Sequence, residues 1–217
     1  MITPNLPPAR LTARALGCIR GDYLVFQGLD FDASSGEIWQ IEGANGVGKT
    51  SLLRILAGLS VPAEGSVHWR AQPLPAAREA LHRELLYLGH LPAVTGFLSA
   101  AENLDYLRRL AGAPSRCSIE AALQRVGLPL SDPTPAQRLS AGQRQRLALA
   151  RFLLVRAPLW IMDEPLTALD AAGRATVDDM LVEHATHGGI AVVCTHQALH
   201  LPAALLHAFQ LVELTPG

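Results

Sequence analysis

The chemistry in this chain starts at GANGVGKT, residues 43–50, which fits the pattern G-x-x-x-x-G-K-[ST] at every position. Glycines at that spacing let the backbone curl until its N–H groups point at an anion. Lys49 then reaches the outer phosphates of a nucleotide, and the Thr50 hydroxyl becomes a ligand for Mg²⁺. An apolar run, EIWQIEG, precedes the loop, and a helical pattern, SLLRILAGL, follows it. That setting favours a nucleotide cradle over a structural glycine-rich turn. The cradle comprises Gly43, Ala44, Asn45, Gly46, Val47, Gly48, Lys49, Thr50 and Ser51.

A second group lies in LWIMDEP, residues 159–165. A buried strand that ends in a carboxylate can set Asp163 beside the cation held by Thr50. Glu164 follows at the carboxyl edge of the strand, where open α/β sheets bind ligands, and can deprotonate an attacking water. Alternatively, both acids cap the next segment; the phosphate loop weighs against that. Another apolar strand, AVVCTHQ, ends in His196. A lone His after a strand is often structural, but the shared sheet edge favours a γ-phosphate contact. The third group is Leu139, Ser140, Ala141, Gly142 and Gln143, small and polar residues opening the helical run LSAGQRQRLALARFLL. This is a second helix start suited to facing an anion.

The elements that must position these groups follow from hydrophobic period and turn residues. Residues 1–9 read as a Pro-rich lead, followed by strands in YLVFQGLDFDA, EIWQIEG and GSVHWR. AQPLPAAR reads as a loop and ELLYLGH as a further strand. Residues 92–155 read as mostly helical, including AENLDYLRRLAG and SIEAALQRVG, the latter with Ser118 as N-cap and Gly127 beyond its end. PLWIMDE and GIAVVCTH have the continuous apolar character of buried parallel strands, with a helix near 171–187 between them. His200 and His207, in LHLPAALLHAFQLV, read as ordinary residues of an amphipathic helix. The expectation is an α/β fold, residues 1–217 as one domain, with a mostly parallel core sheet, an N-terminal antiparallel β addition and an inserted helical segment at 92–155.

With 49% apolar residues, 217 residues can bury a full core. Eighteen Lys+Arg against 19 Asp+Glu leave no basic excess of the kind that marks a nucleic-acid binder. Cys18, Cys117 and Cys194 stand far apart, which reads as reduced thiols rather than disulfides or a zinc site. No secretory leader is visible, and no apolar run approaches the roughly 18 residues of a membrane span. The expectation is a soluble chain, although its high mean hydropathy also suits docking on a membrane partner.

In chain order GANGVGKT, LSAGQ, LWIMDEP and AVVCTHQ resemble the motifs of the ATP-binding-cassette ATPase family, over about residues 10 to 215. The resemblance implies ATP and Mg²⁺ as ligands and a dimer of two cassettes paired head to tail. In such a dimer the LSAGQ helix of one copy faces the γ-phosphate held by the loop of the other. It implies Glu164 as catalytic base, His196 and Lys49 as charge-stabilising catalytic groups, Thr50 and Asp163 at the metal, and TALD, 167–170, along the seam. Three departures stand out. Ala141 occupies a position where the family usually has Gly. His90, in YLGHLP, stands where the family has a Gln that touches Mg²⁺ and water. The adenine-stacking aromatic upstream of the loop falls on Arg20, with Tyr23 nearby, and either can stack.

More narrowly, GLDFDASSGEIWQIEGANGVGKTSLLRILAGL, LLYLGHLPAV, AENLDYL, LWIMDEPLTALD and GGIAVVCTHQ resemble the ATP-binding subunits of bacterial cytochrome c maturation haem exporters. That implies a peripheral ATPase on the cytoplasmic face of the inner membrane, working with a second ATPase subunit and integral membrane subunits, without nucleic acid. The alternatives are the cassette of a drug or lipid exporter, or a soluble non-transport cassette ATPase.

Overall fold

The computed structural model describes residues 8–91, 93–111 and 116–212. The Pro-rich lead up to residue 7, Pro92 at the start of the helical segment, and Gly112 at the end of AENLDYLRRLAG lie outside the described residues.

Five strands build a parallel sheet: β3 (Ile38–Glu42), β6 (Leu85–Leu88), β7 (Leu159–Asp163), β8 (Ile190–Cys194) and β9 (Leu206–Gln210), in the order β6-β7-β8-β3-β9. The central strands read as unbroken apolar runs because the pleat sends alternate side chains into two different cores. Trp160 and Met162 of β7 join one core, while Leu159 and Ile161 join the other. The first core packs under α3 (Ala100–Ala111), α4 (Ile119–Arg125), α5 (Ala141–Leu154) and α6 (Ala171–Thr186). The second lies under α1 (Lys49–Leu56) and a four-stranded antiparallel sheet ordered β2-β1-β4-β5. That sheet comprises β1 (Arg10–Arg20), β2 (Tyr23–Ser34), β4 (Glu64–Trp69) and β5 (Gln72–Pro73). The expected parallel core, antiparallel addition and inserted helices are therefore all present. The Ser118 cap is also present, its side chain accepting the Ala121 N–H at 3.1 Å.

Three local expectations are corrected. β1 carries a long strand that the pattern hid, because bulges between Ala13 and Leu16 and around Cys18 break the two-residue period. The stretch assigned to loop and strand contains α2 (Arg78–Glu84), a short helix with only Leu81 buried, too little apolar periodicity to register. His200 and His207 are not on a helix. His200 lies in the loop before β9, and His207 on β9 stacks against Trp39 with ring centroids 4.9 Å apart. Pro202 breaks the helical reading, and short apolar runs do not separate helix from strand by period alone.

His184 of α6 lies flat on Trp160, with centroids 3.8 Å apart and planes at 8°. Its Nε2 sits 3.1 Å from the Ile190 carbonyl. Burial pushes its pKa down to about 4. In the unfolded chain a His titrates near 6.5, so between those values the unfolded state holds a proton that the folded state lacks. Stability therefore rises with pH across that window and is lost as pH falls below about 6.5, by about 3 kcal/mol at the acid end. His184→Phe keeps the stacked ring and removes the proton site. The acid limb of melting temperature against pH should flatten between pH 6.5 and 4; an unchanged limb would contradict this account of the histidine.

Candidate functional site

The phosphate loop joins the end of β3 to the start of α1. Gly48 is the helix N-cap at φ 106°, and a Cβ built there would lie 2.3 Å from a Val25 methyl carbon. Both the backbone angle and the close approach of β2 require glycine at that position. The Lys49 side chain is buried and folds back over its own loop, its Nζ donating to the carbonyls of Gly43 at 2.6 Å and Ala44 at 2.9 Å. These are carbonyls of a glycine-rich turn that a phosphate can replace as partners. Ser51, two residues further on, has a buried hydroxyl with no hydrogen-bond partner.

Asp163 ends β7 and is buried. The Thr50 hydroxyl donates to its Oδ2 at 2.8 Å, joining two elements far apart in sequence. Glu164 follows at φ 52°, with its N–H bonded to the Cys194 carbonyl at 2.8 Å. Its Oε1 lies 3.3 Å from Nε2 of His196, just beyond β8. A cleft of about 190 Å³ is lined by Asn45, Gly46, Gly48, Lys49, Thr50 and Ser51, together with Asp163, Glu164 and His196. His90 and Arg20 also line it. Tyr23 is 80% exposed and lies away from the cleft lining, so of the two residues weighed for the base the chain brings only Arg20 there.

Cys194, unmarked in the sequence, forms part of the cleft lining. Burial, reinforced by Asp163 and Glu164, pushes its thiol up to about 12, so it is a neutral wall rather than a nucleophile. Burial likewise raises the Tyr87 hydroxyl above its usual range.

The oxygen donors Thr50 and Asp163, joined by their 2.8 Å hydrogen bond in a cleft that Ser51 also lines, suit Mg²⁺, which takes few protein ligands and completes its shell with phosphate and water. The residues present therefore fit a magnesium nucleotide.

Leu139, Ser140, Ala141, Gly142 and Gln143 form no part of this cleft. Ser140 caps α5, accepting the Gln143 N–H at 3.2 Å, while Gln143 Oε1 accepts the Ser140 N–H at 2.9 Å. This reciprocal cap holds the helix start rigid. Leu139 is buried as its anchor, whereas Ser140, Ala141 and Gln143 face outward. Ala141 meets no crowding on that face, but Gly142 is different: a Cβ there would stand 2.7 Å from the Ala168 carbonyl. Gln145 and Arg146, which bind the loop after Glu164, were missed in the sequence; their one trace there is helical spacing from Gly142.

A family model described as ABC transporter matches residues 26–167. A cytochrome c biogenesis ATP-binding export protein CcmA from Methylococcus capsulatus is 50% identical over 192 residues, covering 88% of this chain and 93% of that protein. This chain belongs to the ABC transporter family, among the cytochrome c biogenesis ATP-binding export proteins. The Escherichia coli protein of that name is 42% identical over 203 residues, covering 94% of this chain and 97% of its own length. In architecture, the ABC chain resembles a putative ABC transporter ATP-binding protein from Pyrococcus furiosus, with a TM-score of 0.78 at 23% identity over 93% of this chain and 97% of that one. It also resembles a bacterial Atm1-family ABC exporter solved with ATP bound, with a TM-score of 0.76 over 90% of this chain and 36% of that one. At 23% and 24% identity, these two structures speak for the fold alone. No described helix is long and apolar enough to cross a membrane.

Proposed function

We propose that this chain is the ATP-hydrolysing subunit of an export complex for cytochrome c biogenesis, energising haem delivery. The observation that carries the reading is the meeting of Lys49, Thr50, Asp163, Glu164 and His196 around one cleft. The names of the relatives carry the choice of cargo pathway.

The loop N–H groups, the N-terminus of α1 and the Ser51 hydroxyl bind the phosphates, and Lys49 leaves the Gly43 and Ala44 carbonyls for the terminal ones. Thr50 and Asp163 would hold Mg²⁺, which would neutralise phosphate charge when bound. Glu164 accepts a proton from water as the water oxygen bonds to the γ-phosphorus, and the bond to the β–γ bridging oxygen breaks, releasing ADP. His196 orients the Glu164 carboxylate and donates to the γ-phosphate oxygens, where charge is largest. His90 stands at the mouth of the cleft, placed to hold the water. The outward-facing Ser140, which lies outside the cleft lining of its own chain, supplies the phosphate contact to the nucleotide of a second copy.

Leu91 and Phe97 before α3 and Leu110 in its last turn are exposed apolar side chains available to integral membrane subunits. On this reading the chain sits peripherally on the cytoplasmic face of the inner membrane. Deleting the gene should abolish haem-stained covalent c-type cytochromes, and a plasmid copy should restore them while a Glu164→Gln copy does not. Normal cytochromes in the deletion strain would contradict the cargo assignment and leave the ATPase reading standing.

A further inference from the structure

The first two turns of α5 turn one face to the loop that carries Glu164. Gly142, Gln145 and Arg146 share that face at i, i+3 and i+4. At one end Gly142 packs directly on the Ala168 carbonyl, leaving no room for a Cβ. At the other, the Arg146 guanidinium reaches the Asp170 carboxylate at 2.5 Å and the Val126 carbonyl at 2.8 Å. Between them the Gln145 side chain is 8% exposed. Its Nε2 donates to the Pro165 carbonyl at 2.8 Å and stands 3.4 Å from the Glu164 carbonyl. Both partners are acceptors, so only the NH₂ end of the amide fits there.

Glu164 needs such a grip. Its φ of 52° is a left-handed conformation that a residue with a long side chain adopts only when its surroundings hold it. From one side, β8 holds it through the bond from its N–H to Cys194. From the other, the two carbonyls that follow are met by Gln145 alone among the described side chains.

We propose that Gln145 is a positioning residue for ATP hydrolysis, fixing the left-handed backbone at Glu164 so that its carboxylate points into the cleft. The proposal rests on the role of Glu164 as base. Removing the amide leaves the buried Pro165 carbonyl without its donor and the Glu164 carbonyl with only the Thr167 N–H at 3.3 Å, and the loop moves to find water. A displacement of about 1 Å at a catalytic group lowers the rate by roughly 10²-fold. Gln145 is not part of the cleft lining, so nucleotide affinity should not follow.

The test is Gln145→Met, which keeps length and apolar volume but has no donor, in the full-length chain together with any membrane subunits that copurify. The expected result is a fall in kcat of roughly 10- to 100-fold. KM for ATP and affinity for a fluorescent ATP analogue should stay within about twofold, and the pH profile of kcat should shift as the carboxylate changes surroundings. A kcat within twofold of native overturns the proposal, as does a parallel loss of nucleotide affinity, which marks general packing support. Should Gln145→Met fail to melt cooperatively, Gln145→Asn withdraws the same amide by one methylene. A lower kcat at unchanged KM is then expected, and an unchanged kcat overturns it. Glu164→Gln is measured beside them. Near-normal turnover there removes the role of Glu164 itself, whereas an inactive Glu164→Gln with a normal Gln145→Met removes only the positioning role.

Discussion

Glu164→Gln should lower ATP turnover by roughly 10²- to 10⁴-fold while leaving ATP binding intact. The side chain keeps its size and its contact with His196, 3.3 Å away in the native chain, but loses the ability to take a proton. Nothing in the phosphate loop depends on Glu164. Its backbone ties run to Cys194, Thr167 and Gln145, all of which the amide variant preserves. The variant should therefore accumulate with ATP bound, as closed dimers visible by size-exclusion chromatography in the presence of Mg²⁺ and ATP. Turnover within a few-fold of native would remove Glu164 from the chemistry and leave the cleft as a nucleotide-binding site.

Lys49→Ala should act on the other quantity. In the described chain the ammonium is satisfied by two loop carbonyls at 2.6 and 2.9 Å. With nucleotide bound it exchanges these for charge-assisted bonds to phosphate. Loss of one or two such bonds is worth about 2–4 kcal/mol, or roughly 30- to 700-fold in Kd. The neutral pair of loop carbonyls also loses its donor, so the ligand-free protein should melt slightly earlier. Calorimetric titration with ATP reads the affinity directly, and an unchanged Kd would contradict the placement of the phosphates in this loop.

The site was largely legible because each of its parts is either a contiguous motif or the end of an apolar strand. The phosphate loop names itself, and Asp163, Glu164 and His196 each follow an unmistakable buried strand. The sheet edge that brings them together is a consequence of parallel topology rather than of side-chain detail. Three things were not legible, for physical reasons. β1 hides because its bulges flip the face of its side chains midway, so no single alternation spans it. β9 mimics a helix because a five-residue apolar strand fits either period. Gln145 looks like any polar residue on an amphipathic helix. Its function lies in which loop the helix packs on, and the Glu164 backbone that it meets owes its left-handed φ to tertiary context. The Arg20 and Tyr23 ambiguity had the same origin: the two are paired across the β1–β2 hairpin, and only the fold shows which one reaches the cleft.

The most direct measurement asks whether two copies share each nucleotide. Lys49→Ala damages the phosphate loop, and Ser140→Arg blocks the outward-facing start of α5. Gly142 is the poorer choice, because any side chain there strikes the Ala168 carbonyl and disturbs the loop after Glu164 in its own chain. Each variant alone should be inactive. Mixed in equal amounts, half of the pairs contain one pocket with an intact loop and an intact partner helix, so turnover should recover to about a quarter of native under two-fold pairing. Differently tagged variants that copurify as mixed pairs yet hydrolyse no ATP would contradict a shared site.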